Sequence, residues 1–165
     1  MSFTTHLELC SHLLMKPGEL EQAAFLFATA AGDHFTVEDV WALSGDHFEK
    51  QTCDHLELHP HVWSEIVARA KRERRVIIEV HSHPQAKRAA FSRTDVQGMR
   101  ETAHQIGWRL HEPYVALVLS QEEMDGLVWW PDSEAPEALV NVVVEQSNYP
   151  MSRRTLNNWS YYGTV

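Results

Sequence analysis

A chain of 165 residues holds about one domain's worth of core, and 14 basic against 23 acidic side chains give it a formal charge of −9. That balance disfavours broad nucleic-acid binding, which needs Lys and Arg to neutralise phosphates. No segment has the apolar length to span a bilayer, and the start, MSFTTHLELCSHLLMKPGELEQ, has no basic stretch leading into an uninterrupted apolar run. A membrane partner and a signal peptide are therefore not expected. Cys10 and Cys53 form no CxxC, so a reducing cytoplasm with free thiols is the expected setting, with both cysteines as core residues.

The first strong element is AAFLFATAAGD, a continuous apolar run ending at Gly32-Asp33, which predicts a buried strand and a turn. HFTVEDVWALSGD then alternates and returns as the second strand of a hairpin. DHLELH alternates again, with Leu56 and Leu58 on one face. Pro60 opens a helix with Val62, Ile66, Val67 and Ala70 at helical spacing and a basic end. RVIIEVHSHP is β-branched and stops at proline, so it predicts a central strand followed by a loop. SRTDVQGMRETAHQIG opens on a helix cap and closes at Gly107. YVALVLS, GLVWW and ALVNVVVEQ predict three more strands, and the polar, aromatic tail SRRTLNNWSYYGTV receives no element. Hairpins plus two helices, without regular strand-helix alternation, indicate an α+β fold with helices against a mixed sheet.

The chemistry concentrates between Glu79 and Asp95, in EVHSHPQAKRAAFSRTD. Residues i and i+2 of a strand share a face, so His81 and His83 project together from the end of the central strand. For an HxH taken by itself, two polar side chains at a strand terminus are the favoured explanation. Ser92 and Asp95 have their own local explanation as a capping box, each side chain meeting the other's backbone N–H. A helix beginning at Ser92 can nevertheless carry Asp95 back to the histidines. Two imidazoles and a carboxylate make a zinc site with an open fourth position, the arrangement of hydrolytic zinc centres.

The whole stretch, H-x-H-P, seven residues, then S-x-x-D, resembles the signature of the JAMM (MPN-plus, Mov34) metalloprotease family without gap or substitution. The resemblance implies a JAMM/MPN-type, cytidine deaminase-like fold in one domain: a mixed, mainly antiparallel sheet flanked by helices. It assigns residues 1–150 to the catalytic domain and leaves 151–165 as a C-terminal tail of unknown role. It implies that His81, His83 and Asp95 hold one Zn2+ per chain, with water as fourth ligand. Ser92 would then donate a hydrogen bond to the oxyanion formed at the attacked carbonyl, a contribution on the order of a few kcal/mol. A general base must still take and return the proton. The family places a glutamate just before an early apolar strand; Glu21, in Glu21-Gln-Ala-Ala24-Phe, matches best, with Glu19 as the alternative.

Such enzymes cut the bond joining the C-terminal tail of a ubiquitin-like protein to lysine, to a small thiol compound or to a precursor extension. The short chain is similar to the prokaryotic branch, which implies activating and conjugating enzymes of a small-modifier pathway as further partners. The alternatives are a non-catalytic binding scaffold of this fold, a small-molecule amidase, or a DNA-repair-associated relative.

Other features read as less specific. Glu79 lies two residues before His81, either orienting a histidine or, the reading favoured from sequence, simply occupying a polar strand position. His55, His59 and His61 read as a solvated loop, because Pro60 intervenes and no carboxylate follows at ligand spacing. KRERR suits a helix C-terminus. Lys87 and Arg88, inside the loop before Ser92, could meet an incoming substrate tail.

Overall fold

Period-two alternation decides which layer each residue of the central strands joins. In the computed structural model, which describes residues 1–15 and 20–162, the sheet is ordered β2-β1-β5-β6-β7-β8. Its strands are β1 (Ala23–Ala31), β2 (His34–Ala42), β5 (Val76–Ser82), β6 (Tyr114–Leu119), β7 (Met124–Trp129) and β8 (Glu137–Ala138). The β5–β6 pair is parallel and the other pairs antiparallel, so the sheet is mixed and mainly antiparallel. Two small hairpins stand apart from it: β3 (Phe48–Gln51) with β4 (Leu56–Leu58), and β9 (Asn141–Val144) with β10 (Ser147–Pro150).

Ala24, Leu26, Ile78, Val80, Val115 and Leu117 point to one face, where helix α1 (Phe3–Leu14) buries Leu9 and Leu13. Ala23, Phe25, Phe27, Ile77, Ala116 and Val118 point to the other, beneath α2 (Pro60–Glu73) and α3 (Arg93–Leu110). The result is an α+β sandwich with helices on both faces. Helix α2 starts with Pro60 in its first turn, where a missing N–H costs nothing. It ends at Arg74, which takes a left-handed conformation (φ 53°). Its buried stripe, Val62, Ile66, Val67 and Ala70, is the one the sequence spacing picks out. The β1–β2 turn needs a positive φ, which Gly32 supplies at 64°.

Several boundaries differ from the sequence reading. No element was expected before residue 23, yet α1 forms there, capped by the Ser2 hydroxyl accepting from Thr5 N–H. Helix α3 runs through Gly107 to Leu110, because the left-handed residue (φ 55°) is His111, whose N–H closes on the Gly107 carbonyl. ALVNVVVEQ is not one strand: β8 ends at Ala138, and β9 turns away to pair with β10. Cys53 is exposed on the β3–β4 turn, not a core residue, and Cys10 is half-buried; both are free thiols.

The tail folds back onto the body. Thr155, fully buried on α4 (Arg154–Asn157), receives the Phe91 N–H at 3.0 Å and donates its own N–H to the buried Asp125 carboxylate at 2.8 Å. Tyr162 donates its hydroxyl to the Phe91 carbonyl at 2.8 Å. Two tail contacts therefore fix the residue immediately before the α3 cap.

Close packing across β6 and β7 gives a stability prediction. A Cβ on Gly126 would approach Leu117 Cδ2 to 2.8 Å and Leu139 Cβ to 3.0 Å. Gly126→Ala is therefore expected to destabilise the fold by about 1–3 kcal/mol, read as a lower midpoint in thermal or urea unfolding.

Candidate metal centre

The site lies at the edge where β1 begins and β5 ends. Ala23 pairs with His81, which puts Glu21 beside the end of β5. Backbone bonds hold Glu21 on two sides: its N–H donates to the Thr52 carbonyl at 2.9 Å, and Gln51 Nε2 donates to its carbonyl at 2.7 Å. Ser82, between the two histidines, is locked to Gln22, its N–H donating to the Gln22 carbonyl and its Oγ accepting the Gln22 N–H, both at 3.0 Å. The His83 N–H continues the strand by donating to the Leu119 carbonyl at 2.8 Å.

Beyond Pro84 the loop is tied to the β6–β7 turn. Gln121 Nε2 donates to the Pro84 carbonyl at 2.9 Å, and the Ser120 hydroxyl to the Lys87 carbonyl at 3.0 Å. Helix α3 then opens with the capping box that the sequence shows. Ser92 Oγ accepts the Asp95 N–H at 3.1 Å, and Asp95 Oδ2 accepts the Ser92 N–H at 2.6 Å. The cap and the metal site are compatible because the same Oδ2 also faces the histidines.

Asp95 Oδ2 lies 3.6 Å from His81 Nε2 and 3.4 Å from His83 Nε2, while Glu21 Oε1 lies 3.3 Å from His83 Nε2. One ligand atom from each of His81, His83 and Asp95 can be chosen so that all lie within 4.8 Å of one another. His81 is 5% exposed, and its Nε2 is buried with no hydrogen-bond partner. An orphaned imidazole nitrogen is costly unless something accepts its lone pair. Together with the N, N, O donor set, it fits a zinc ion held by His81, His83 and Asp95. Among the described residues no other group of three such side chains converges in this way.

The electrostatics follow from burial and proximity. Burial raises Glu21 from 4.5 to about 7, against the opposing pull of His81 and His83. A dication held beside it would draw that value down again. For Asp95, burial also acts upward, but the facing imidazoles of His81 and His83 outweigh it and hold the carboxyl far below the usual carboxylate range. Burial lowers His81, and the facing Asp95 carboxylate more than reverses this.

The structure thus brings Glu21, His81, His83 and Asp95 into direct approach and joins Ser92 to them through the capping box. Glu19 lies outside the described residues. Glu79 is more than a polar strand position: its carboxylate accepts the Tyr114 hydroxyl at 2.6 Å, and it lines the same cleft as Glu21, His81 and Asp95. His55 also lines that cleft, whereas His59 and His61 stack on each other at 5.4 Å. Lys87 and Arg88 are exposed on the loop and do not line the cleft. Local sequence could not have found Trp63, Gly98 and Glu101, which reach the cleft only through the packing of α2 and α3.

A family model described as prokaryotic homologs of the JAB domain matches residues 5–151. No curated protein matches the chain.

Proposed function

The chain belongs to the JAB-domain family, and on that premise we propose that it is a zinc-dependent isopeptidase or peptidase acting after the C-terminal tail of a ubiquitin-like modifier. The observation carrying this reading is the convergence of His81, His83 and Asp95 around a buried, unpartnered imidazole nitrogen, with the Glu21 carboxylate alongside. A zinc ion held there supplies Lewis acidity, making a water nucleophilic near neutral pH and polarising a carbonyl.

The protein's own groups do the rest. Glu21 takes the water's proton and returns it to the leaving amine, a task suited to a buried carboxylate raised towards neutrality. Ser92 Oγ is already an acceptor for the Asp95 N–H, so its hydroxyl proton is available to the carbonyl oxygen that gains charge. Asp95 is kept ionised, and its bond from the Ser92 N–H fixes the direction of its carboxylate.

The cleft favours a peptide over a small amide. One wall is a stripe of α3 from Thr94 to Gln105, which at 1.5 Å per residue extends roughly 16 Å. The lining also includes the consecutive residues His55 to Leu58. Side chains alternate along a strand, so neighbours can all line a cleft only if β4 turns its edge towards it. Among the described residues β4 pairs with β3 alone, which leaves its other edge free of strand partners there. An extended tail of about five residues fits this length. The partners on this reading are a ubiquitin-like protein, its conjugates, and the activating and conjugating enzymes of the same pathway.

The test is to incubate the protein with fusions of candidate ubiquitin-like proteins, with and without chelator, and to follow cleavage by mass. Cleavage directly after the modifier tail, abolished by chelator and restored by zinc, is the expected result. Intact fusions beside a hydrolysed small amide would replace this reading with that of a small-molecule amidase.

A further inference from the structure

Gly98 sits in the interior of α3, where glycine is the least favourable residue short of proline. Its backbone is not in the left-handed region, so no turn demands glycine there. Packing does not demand it either: a Cβ at Gly98 would meet no atom within 4 Å, in contrast to Gly126. What the missing side chain does leave open is the cleft of about 660 Å³, which Gly98 lines three residues after Asp95. His81, whose buried Nε2 has no hydrogen-bond partner, lines the same cleft.

The charges of the cleft point the same way. Among the described residues its acidic side chains are Glu21, Glu57, Glu79, Asp95 and Glu101, and no Lys or Arg lines it. Glu21 and Asp95 belong to the metal centre, and Glu79 is engaged by Tyr114. This leaves Glu57 on β4, its side chain 56% exposed and 3.8 Å from His55, and Glu101 on α3. These two carboxylates line the cleft from different elements, with no Lys or Arg among the described lining residues to neutralise them.

We propose that Gly98 and Glu101 set the specificity of this cleft. The bare α3 backbone at Gly98 admits the main chain of an extended peptide beside the metal centre, and Glu101 favours a cationic side chain on that peptide. Which bond is cut rests on the hydrolase reading above; what binds does not.

Binding is therefore measured without turnover, on the zinc-supplemented Glu21→Gln protein. The probes are fluorescein-labelled octapeptides alternating glycine with arginine, glutamine or glutamate, followed by anisotropy at low salt. The arginine peptide is expected to bind about tenfold more tightly than the glutamate peptide, with glutamine between them. Glu101→Lys should shrink that gap to about threefold or less. Gly98→Leu should weaken all three peptides by about tenfold while zinc content holds and the melting temperature stays or rises, since leucine is the better helix former. Gly98→Ala should shift both readouts in the same directions by less. Equal affinity for the three peptides, no binding of any, or undiminished binding by both Gly98 variants would overturn the proposal. Failure of the wild-type protein to cleave any fusion or amide would instead overturn the hydrolase reading, leaving these binding results to stand or fall separately.

Discussion

Glu21→Gln is expected to lower kcat by about 10²–10⁴-fold while leaving zinc content and melting temperature close to wild type. Glutamine has nearly the same shape, so the backbone bonds from Gln51 and to Thr52 that hold this position are unaffected. What disappears is basicity. Among the described residues, Glu21 is the carboxylate that approaches the ligand pair without belonging to the convergent set, at 3.3 Å from His83 Nε2. Its charged form is the working form of a base, so the rate should fall as pH drops through its pKa. Burial, acting against the pull of His81 and His83, raises that pKa from 4.5 to about 7, and a neighbouring dication lowers it, so the acid limb should lie between those values. In Glu21→Gln the residual rate should lose this limb. Glu19→Gln is the control, expected to retain full turnover. If Glu19→Gln loses turnover and Glu21→Gln keeps it, the base has been assigned to the wrong glutamate.

The difference between what could and could not be read from sequence is one of range. His81, His83, Ser92 and Asp95 fall within fifteen consecutive residues, and each is placed by a short-range rule: strand alternation for the histidines, a capping box for the other two. Strands β1, β2 and β5 and helix α2 show in the same way, through apolar runs and helical spacing. Helix α1 had its signals, a Ser2 cap and Leu9 and Leu13 one turn apart, but a twelve-residue helix with two buried side chains leaves a faint pattern. The tail is another matter. Thr155 and Tyr162 meet Phe91 across 64 and 71 residues, and nothing near residue 155 announces that its hydroxyl accepts a buried N–H. The engagement of Glu79 likewise requires Tyr114, 35 residues away on the parallel neighbour of β5. Gly98 reads from sequence as a mild defect in a helix, and only its place in the cleft gives it a meaning.

Asp95 serves two purposes, and Asp95→Asn should separate them. As a cap, its Oδ2 accepts the Ser92 N–H, which the asparagine carbonyl can also do, so the start of α3 should survive. As a ligand, it supplies the one anionic donor beside two imidazoles, which a neutral amide does not replace. His83→Ala removes a donor without touching the cap. Both variants should therefore fold as the chelated wild type does, with melting temperatures within a few degrees of it. Both should also lose zinc affinity by more than the roughly 10–100-fold typical of changes outside the ligand set. The clean readout is the melting temperature with and without zinc. An ion that binds only the folded state adds about 2.7 kcal/mol at a hundred times its Kd, so zinc should raise the wild-type midpoint by several degrees. In His83→Ala and Asp95→Asn that rise should vanish at the same zinc concentration. Wild-type protein should carry about one zinc per chain, as a three-ligand centre requires. If zinc stabilises both variants as much as the wild type, the ion binds elsewhere, and His81, His83 and Asp95 are only a strand end meeting a helix cap.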